Sequence, residues 1–506
     1  MITRAHIRLA VALILFFPLT LKAAHSSATP REWNFLVYMA NNNNLNRYGV
    51  TNFRQMVHVG SNTNVNLLLQ MDTLGQKEAS RFYLGKDNPV LLETHTNSQI
   101  SYSGTPANLI DFTQWGASNF PAEKTCLVLW NHGAGIKDPS IWGRALDHWR
   151  DHLFFLNTQT GIIELDRSQQ KRDEIKQREE KGIAFNDAAS AYLTNEDLKA
   201  SLEFTCQTIL GGKKIDVLAM DACHMAMIEV ASQLKTAVNV MIASEEVEPG
   251  AGYNYIPALA IFGQSGIDPY TVGKHIVGAY HAEYRSTLGD YTQSAVDLSY
   301  CDAMEANLSQ LANGLLGLMH IEPRTGFTML REIRFNRSLT TEFYDSDYID
   351  LGHFYKSLIA RAQGFLNTGK LNFGFSFGFG SNTHKQFVDS WRAISDTALE
   401  GLRILQVMVI ANAAGRNLKN ATGLSIYFPI TTIHSSYART EFARNTTWPL
   451  FIDTFIHMRF GGKTLTKEIT HATNGCCASA SKPAPCTKQP QAPHKLHSLL
   501  TRVLKA

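Results

Sequence analysis

The chain has 506 residues, enough for two to four domains with a sizeable core. Its hydrophobic content of 44% and charged content of 18% are typical of a globular protein and exclude a largely disordered chain. The formal net charge is +3, but residues 461–506 hold seven Lys and Arg against one Glu, so the rest of the chain is slightly acidic. This balance does not support nucleic-acid binding.

The N-terminal residues have the pattern of a secretory signal. Two arginines precede an apolar run of 13 residues, 9–21, which is short for a transmembrane helix. Small residues suited to signal cleavage follow, among them Ala23 and Ala28. We therefore expect residues 1–28 to be a signal peptide with a short leader and the protein to be exported, secreted or periplasmic. An uncleaved membrane anchor is the alternative.

Through the first 300 residues, apolar runs alternate with helical patterns. The runs are continuous rather than alternating with polar residues, which indicates strands buried on both faces of a sheet. With the intervening helices they predict an α/β fold with a mostly parallel sheet. Thr194 and Asp197 resemble a capping box that opens one of the helices. We expect strands at 33–40, 65–71, 125–130, 215–220 and 238–243, and helices at 46–58, 105–118, 194–209 and 223–236.

Two segments depart from this pattern. Residues 166–181 include 11 charged residues among 16 and cannot form a core, so we expect a solvated loop or helix face. The basic tail, residues 461–506, ends in an amphipathic helical pattern. That helix would contact a membrane surface or a partner protein, or pack on its own domain.

Seven cysteines are an odd number for an exported chain, so one thiol is expected to stay free. No C-x-x-C pair occurs, which removes support for a zinc ribbon or a thioredoxin-like site. Apart from Cys223, six cysteines are available for disulfides, and their pairing stays open: Cys126, Cys206, Cys301, Cys476, Cys477 and Cys486.

Cys223 and His132 each follow an apolar run, IDVLAM and TCLVLW respectively. The carboxyl ends of parallel strands meet at one edge of the sheet, where ligands bind. A helix expected to begin near Cys223 and a neighbouring imidazole would both favour the thiolate, which is the nucleophilic form. Gly133 allows close approach of a substrate, and its N–H would donate to a developing oxyanion. The alternative is a buried cysteine without chemistry.

Three blocks, NHGAG, MDACHMAMIEV and ASEEVEPGAGYNY, resemble the clostripain family of cysteine peptidases, which shares a clan with caspases, legumains and gingipains. Further matching blocks are WNFLVYMANNNNL, GIAFNDAASAYLTNEDL, SAVDLS and GLSIYFP, so the resemblance extends over residues 33–457. It implies a caspase-haemoglobinase-like fold, a mostly parallel sheet flanked by helices with a C-terminal α/β extension. The domains expected from it are a catalytic domain at 29–300 with a charged insertion at 148–181, a subdomain at 301–460, and the tail.

The resemblance also implies the roles of individual residues in a cysteine endopeptidase. Cys223 would be the nucleophile that forms a thioester, and His132 the general base and later acid. The backbone N–H groups of Gly133 and Cys223 would form the oxyanion hole. Asp221 matches the acid that lines the family's specificity pocket, which implies cleavage after Arg or Lys; the alternative is an acid that caps the following helix.

One position departs from the family pattern. Ala251 stands where an acid is frequent in the family, and Tyr253 stands where Trp is frequent. If a second pocket acid normally lies at position 251, the preference for basic residues is weaker here.

Clan relatives are often made as zymogens that are cut between the two dyad residues. The charge-dense segment is of the kind that a protease can unfold into its cleft, and it offers basic residues to a carboxylate pocket. A surface insertion that is never self-cleaved is the alternative. The candidate sites for self-cleavage are Arg167, Lys171, Arg172, Lys176, Arg178 and Lys181.

Other functions have weaker support in the sequence. His148 and His152 have the spacing of a helical zinc pair, but Trp149 replaces the glutamate of H-E-x-x-H, so no metal site is expected. We expect protein or peptide substrates and no cofactor in the chemistry, with calcium left open because some relatives need it. The competing hypothesis is an exported binding or adhesion protein with a peptidase-like fold and no turnover, which the basic tail and the altered pocket motif would suit.

Overall fold

The computed structural model describes residues 30–95, 102–138, 154–168, 183–368 and 381–459, except 73, 76–77 and 188. Several sequence predictions lie outside the described residues. They are the signal peptide, the His148/His152 pair, the tail at 461–506, and the cleavage candidates Lys171, Arg172, Lys176, Arg178 and Lys181.

A nine-stranded sheet lies at the centre of the described structure, with the strand order β14-β12-β11-β10-β5-β1-β2-β3-β4. Strands β2, β1, β5, β10 and β11 run parallel to one another. Strands β3, β4, β12 and β14 are antiparallel to their neighbours. The predicted α/β class with a mostly parallel sheet is confirmed. The strands are β1 Arg31–Met39, β2 Val65–Asp72, β3 Ala79–Gly85, β4 Asn88–His95, β5 Ala122–Trp130, β6 Phe154–Asn157, β7 Ile162–Leu165, β8 Ile183–Asn186, β9 Ala191–Leu193, β10 Ile215–Asp221, β11 Val238–Ala243, β12 Thr292–Asp297, β13 Tyr348–Asp350, β14 Val409–Ala414 and β15 Ser425–Tyr427.

Helices cover both faces of this sheet. The predicted capping box is present, since Thr194 accepts a hydrogen bond from the Asp197 N–H and the Asp197 side chain accepts one from the N–H of Thr194. The helix that it opens ends in one π-helical turn at Thr205–Ile209. The helices are α1 Asn46–Val59, α2 Pro106–Asn119, α3 Asn195–Phe204, α4 Ile228–Leu234, α5 Tyr255–Leu259, α6 Pro269–Tyr284, α7 Cys301–Ile321, α8 Pro323–Phe335, α9 Leu351–Thr368, α10 Ser381–Met408, α11 Glu441–Asn445 and α12 Trp448–Arg459.

The central strands are buried on both faces, as their continuous apolar runs predict. In β5, Leu127 and Leu129 belong to the core on one side of the sheet, whereas Val128 and Trp130 belong to the core on the other side. Alternate residues of a strand point to opposite faces, so a strand between two helical layers needs apolar residues at every position.

The sheet also contains a strand from beyond residue 300. β14 pairs antiparallel with β12, and Gln293 lies opposite Ala413. The apolar-run criterion does not find β14, because its sequence VIANAA is short and only partly buried. The region after residue 300 therefore contributes to the same sheet as the region before it.

The helix expected at 223–236 begins later than predicted. α4 starts at Ile228, so Cys223 lies in the preceding loop and not at a helix N-terminus. The backbone N–H groups of His224 and Ala226 donate to the carbonyls of Glu246 and Ser244 instead of joining a helix. A helix dipole therefore does not explain the reactivity proposed for Cys223.

Three of the six cysteines offered for disulfides are core thiols. Cys126, Cys206 and Cys301 are buried and form no disulfide with one another, whereas the three cysteines of the tail lie outside the described residues. The sequence expectation of disulfides is therefore wrong for these three. In the described ranges, no helix is long and apolar enough to span a bilayer.

Candidate active site

The neighbouring strands β5 and β10 place His132 and Cys223 at the same edge of the sheet. Trp130 and Asp221 are paired residues at the carboxyl ends of these parallel strands. The N–H of Asn131 donates to the Asp221 carbonyl at 3.2 Å, which extends the pairing by one residue. His132 lies two residues after Trp130, and Cys223 lies two residues after Asp221. The strand register therefore brings together the two candidate catalytic residues that the sequence indicates.

Gly133 packs against the backbone of Cys223. A Cβ atom at position 133 would lie 3.1 Å from the Cys223 nitrogen and would collide with the Cys223 carbonyl oxygen. Only glycine avoids this collision, because it has no Cβ. The two residues expected to supply oxyanion-hole N–H groups are therefore adjacent in space.

The Cys223 thiol is 2% exposed and contacts the backbone of Glu248. The Glu248 N–H donates to Sγ at 3.2 Å, and Sγ lies 3.9 Å from the Glu248 carbonyl oxygen. An N–H donor of this kind stabilises a thiolate by a charge-assisted hydrogen bond. His224, the next residue, has φ of 61°, a conformation uncommon for residues other than glycine. Such backbone geometry is found most often at functional sites.

Asn44 holds the imidazole of His132. His132 is 1% exposed, and its Nε2 lies 2.8 Å from Asn44 Oδ1. The amide oxygen accepts, so the ring proton lies on Nε2 and Nδ1 is the basic nitrogen. The sequence analysis missed this contact. The available signal was the polar run at 41–44 directly after β1, at the same edge of the sheet.

Asp221 is buried beneath the loop of residues 244–254, here called the specificity loop. Its carboxylate accepts hydrogen bonds from the Tyr253 N–H at 3.2 Å and from Tyr255 Oη at 2.9 Å. Burial raises the pKa of Asp221 to about 6. The first residue before α4 is Met227, which provides no side-chain cap, so the alternative of a capping role for Asp221 has no support.

Gly252 is the point of closest approach between the specificity loop and Asp221. Its φ is +57°, and a Cβ atom there would collide with the Asp221 carboxylate. Tyr284 Oη donates to the Gly252 carbonyl at 2.6 Å, which holds the loop from the other side. The loop conformation around Asp221 therefore depends on this glycine.

Glu248 brings a second carboxyl to the site, and the sequence analysis missed it. Gln293 Nε2 donates to Glu248 Oε1 at 3.1 Å. Burial, followed by the negative charge of Asp221, raises the pKa of Glu248 well above its usual value. The family pattern directed attention to position 251, whose alanine also borders the cavity. The sequence EPGAG (248–252) does not reveal that the side chain of its first residue, Glu248, is buried.

A cavity of about 260 Å³ is lined by Cys223 together with the two acidic residues Asp221 and Glu248. Its size and its mixed apolar and polar walls suit one extended side chain of a substrate. Ile163 of β7 and Leu288 form part of the wall opposite the specificity loop. The lining residues are Leu45, Arg47, Tyr48, Trp130, Asn131, Ile163, Asp221, Ala222, Cys223, Val247, Glu248, Pro249, Gly250, Ala251, Gly252, Tyr284, Thr287 and Leu288.

Arg167 is the one cleavage candidate within the described ranges, and its side chain is paired with a residue of the specificity loop. Its guanidinium forms ion pairs with Glu246 at 2.5 Å and with Asp290 at 3.1 Å. These charges raise the pKa of Arg167 further, despite its burial. Cleavage after Arg167 would require both ion pairs to break.

Calcium was left open in the sequence analysis. Across the described ranges, no group of three or more His, Cys, Asp or Glu side chains is placed to hold a metal ion.

This fold and site define a class of protein: an α/β scaffold with a thiol and an imidazole at the carboxyl edge of a mostly parallel sheet. The sequence model of the clostripain family, Peptidase C11, matches residues 37–150 and 158–448. The chain belongs to the clostripain family and is a cysteine-type endopeptidase.

Two solved structures are similar to the chain in fold. One is a secreted C11 cysteine protease from Bacteroides thetaiotaomicron in complex with an irreversible peptide inhibitor. It has 16% identity and a TM-score of 0.51, and the match covers 83% of this chain and 99% of that one. The other is an inactive zymogen of a C11 protease from Parabacteroides distasonis, with 17% identity, a TM-score of 0.51 and the same two coverages. No curated protein matches the chain.

Proposed function

We propose that the protein is an exported endopeptidase in which Cys223 and His132 form a catalytic dyad that cuts after Arg or Lys. The observation that carries the proposal is the register of β5 and β10. It puts both residues at one sheet edge, where Cys223 and Asp221 line a common cavity.

The reaction follows from these groups. His132 takes the thiol proton, and the Cys223 thiolate attacks the carbonyl carbon of the scissile peptide bond. The backbone N–H groups of Gly133 and Cys223 stabilise the oxyanion of the tetrahedral intermediate. The C–N bond breaks as His132 protonates the leaving amine, which leaves a thioester on Cys223. Water then hydrolyses the thioester with His132 again acting as base.

The preference for Arg or Lys rests on the Asp221 carboxylate. It is buried at the cavity and oriented by Tyr253 and Tyr255, so it would form a charge-assisted hydrogen bond with a guanidinium or ammonium group. A desolvated charge pair of this kind contributes strongly to binding because water does not screen it.

Activation by self-cleavage between His132 and Cys223 is part of the proposal. The similar structure from Parabacteroides distasonis is an inactive zymogen, which is a precedent within the same fold. Because the Arg167 guanidinium is engaged by Glu246 and Asp290, we favour cleavage after Lys171, Arg172, Lys176, Arg178 or Lys181. The two fragments would stay together through the sheet, since β5 precedes and β10 follows the cut.

Export and substrates complete the proposal. The signal pattern at 1–28 supports export, and the similar Bacteroides protein is described as secreted. That protein binds a peptide inhibitor, which supports peptide or protein substrates for this one. The proposed chemistry uses only groups of the chain and needs no cofactor.

The test is covalent labelling with an arginine chloromethyl ketone, followed by peptide mapping. We expect the reagent to modify Cys223 in the wild type and to leave the Cys223→Ala variant unlabelled and inactive. Cys206→Ala is the matched control, because it removes a buried thiol that does not line the cavity. Modification at another cysteine, or peptidase activity in Cys223→Ala, would overturn the proposal.

A further inference from the structure

Two acidic residues, Asp221 and Glu248, are among those that line the cavity beside Cys223. Both residues are almost fully buried, with exposed fractions of 5% and 6%. Asp221 is oriented by Tyr253 and Tyr255, and Glu248 by Gln293, so each carboxyl is held in place by a different element. The two groups are therefore fixed parts of the pocket.

Four tyrosines make up much of the surroundings of this pair. Tyr253, Tyr255, Tyr280 and Tyr284 pack against it from the specificity loop, α5 and α6, and burial raises the pKa of each of these phenols. Gln293 faces the pair from β12, Cys126 faces Tyr253 from β5, and Tyr48 and Glu283 lie beside Tyr284. The Cys223 thiol is a further titratable neighbour of Glu248.

Of the described residues that line the cavity, Arg47 is the only basic one. It is exposed, and its guanidinium donates to Tyr48 Oη at 2.7 Å. Two carboxylates buried close together without a counter-ion cannot both be ionised at moderate cost, so one of them keeps a proton.

We propose that Glu248 is a specificity-determining residue whose carboxyl shares one proton with Asp221 in the empty pocket, and that this proton leaves when a basic side chain enters. The entering guanidinium or ammonium supplies the missing positive charge. Both carboxyls then become carboxylates, and one proton is released to solvent for each side chain bound. This inference rests on the proposed preference for Arg and Lys. It makes Glu248 the second acid of the pocket, in place of the acid that position 251 lacks in this chain.

Glu248 also connects the pocket to the nucleophile. Its backbone N–H donates to Cys223 Sγ, while its side chain points to Gln293. Glu248→Gln keeps the backbone and an oxygen that accepts from Gln293, and it removes only the ionisable group. It is therefore the variant that separates the charge of the side chain from the contact with the thiol.

The first experiment compares kcat/KM for two peptide substrates that differ only in having arginine or citrulline before the scissile bond. Citrulline has nearly the shape of arginine without its charge. We expect Glu248→Gln to lower the arginine-to-citrulline ratio about 30-fold or more, which corresponds to about 2 kcal/mol for a desolvated charge pair. Glu123→Gln, which changes an exposed carboxylate at the start of β5, far along the strand from the carboxyl edge of the sheet, is the matched control and should leave the ratio unchanged.

The second experiment counts protons by calorimetry in two buffers of different ionisation enthalpy near pH 7. The protein is the Cys223→Ala variant, and the ligands are peptides that end in arginine or citrulline. We expect release of about one proton with arginine and about none with citrulline, and about none with arginine once Glu248→Gln is added.

Two results would overturn the inference. One is an unchanged substrate ratio in Glu248→Gln, and the other is arginine binding without proton release. Failure of the proposed function looks different: the wild type would not cleave the arginine substrate, or Cys223 would not be the labelled residue.

Discussion

Asn44 Oδ1 lies 2.8 Å from Nε2 of His132, a contact that joins the loop after β1 to the loop after β5. The contact selects the tautomer in which Nδ1 is basic, and it restrains the orientation of the ring. A histidine that must accept and return a proton needs both features. Asn44 is therefore a positioning residue that acts through His132.

We expect Asn44→Ala to lower kcat about 10-fold or more and to change KM little, because the substrate pocket is untouched while the imidazole loses its orientation. Asn44→Asp keeps an acceptor oxygen and should retain more activity than the alanine variant. Steady-state kinetics over a range of pH gives the measurement. Wild-type kcat in Asn44→Ala would show that the contact does not support catalysis.

The dyad residues should behave as a unit. Cys223→Ala and His132→Ala are each expected to abolish turnover, and the double variant should be little worse than either, because removing one partner already stops the nucleophile. Folding, followed by circular dichroism, should survive all three changes. Losses that multiply in the double variant would mean that the two residues act separately.

The packing of Gly133 on Cys223 predicts that a methyl group there is not tolerated. Gly133→Ala should lower kcat strongly, because the added Cβ collides with the Cys223 carbonyl and displaces the oxyanion-hole N–H groups. Gly263→Ala is the matched control, since no atom lies within 4 Å of a Cβ at that position. Equal kcat values for the two variants would exclude a tight Gly133–Cys223 contact as a requirement of catalysis.

The ion pairs of Arg167 predict a stability effect. Arg167→Gln leaves Glu246 and Asp290 as buried, unpaired carboxylates, and breaking such a pair costs about 3–5 kcal/mol. Urea denaturation in the Cys223→Ala background measures the loss. Arg403→Gln, which breaks an exposed ion pair with Glu400, should cost less than about 1 kcal/mol. Equal losses of stability in the two variants would show that the ion pairs of Arg167 contribute no more than the exposed pair of Arg403 and Glu400.

Self-cleavage has its own readout in N-terminal sequencing of the purified protein beside its Cys223→Ala variant. We expect new N-termini after Lys171, Arg172, Lys176, Arg178 or Lys181 in the active protein and none in the variant. Identical cuts in both would assign the cleavage to another protease. A wild-type chain that stays whole and fully active would exclude activation by cleavage.

Glu229 predicts how stability depends on pH. It is fully buried, its Oε1 accepts from the Tyr427 N–H at 2.9 Å, and burial raises its pKa to about 8. Between its ordinary pKa and this value the folded protein holds a proton that the unfolded chain releases, so the free energy of unfolding falls as the pH rises. Each pKa unit between the folded and the unfolded value corresponds to about 1.4 kcal/mol in the free energy of unfolding.

The measurement is urea denaturation at pH 5 and pH 8 in the Cys223→Ala background. Glu229→Gln keeps the acceptor for Tyr427 and cannot ionise, so the decrease in stability between the two pH values should be smaller than in the parent. Glu283→Gln changes an exposed carboxylate and should leave the decrease as it is. An equal decrease in all three proteins would show that Glu229 does not hold a proton at neutral pH.

The sequence by itself determined the class of fold and located the two residues that we propose as the dyad. A continuous apolar run such as 125–130 requires burial on both faces of a sheet, and parallel strands put their following residues at one edge. His132 and Cys223 could therefore be located from local patterns, and the family blocks gave them their roles. Strand β14 was not predicted, because its sequence is short and shows little apolar pattern.

The tertiary structure alone decided which groups surround the dyad. The helix after Cys223 begins only at Ile228, because the backbone of His224 and Ala226 is bonded to the specificity loop. Local sequence patterns could not predict that Asn44 contacts His132, because the two residues are 88 positions apart. They could not predict Glu248 as the second pocket acid either, because it is 25 positions from Cys223. Local spacing records the periodicity of a strand or helix, whereas these contacts depend on how loops from different strands close over one another.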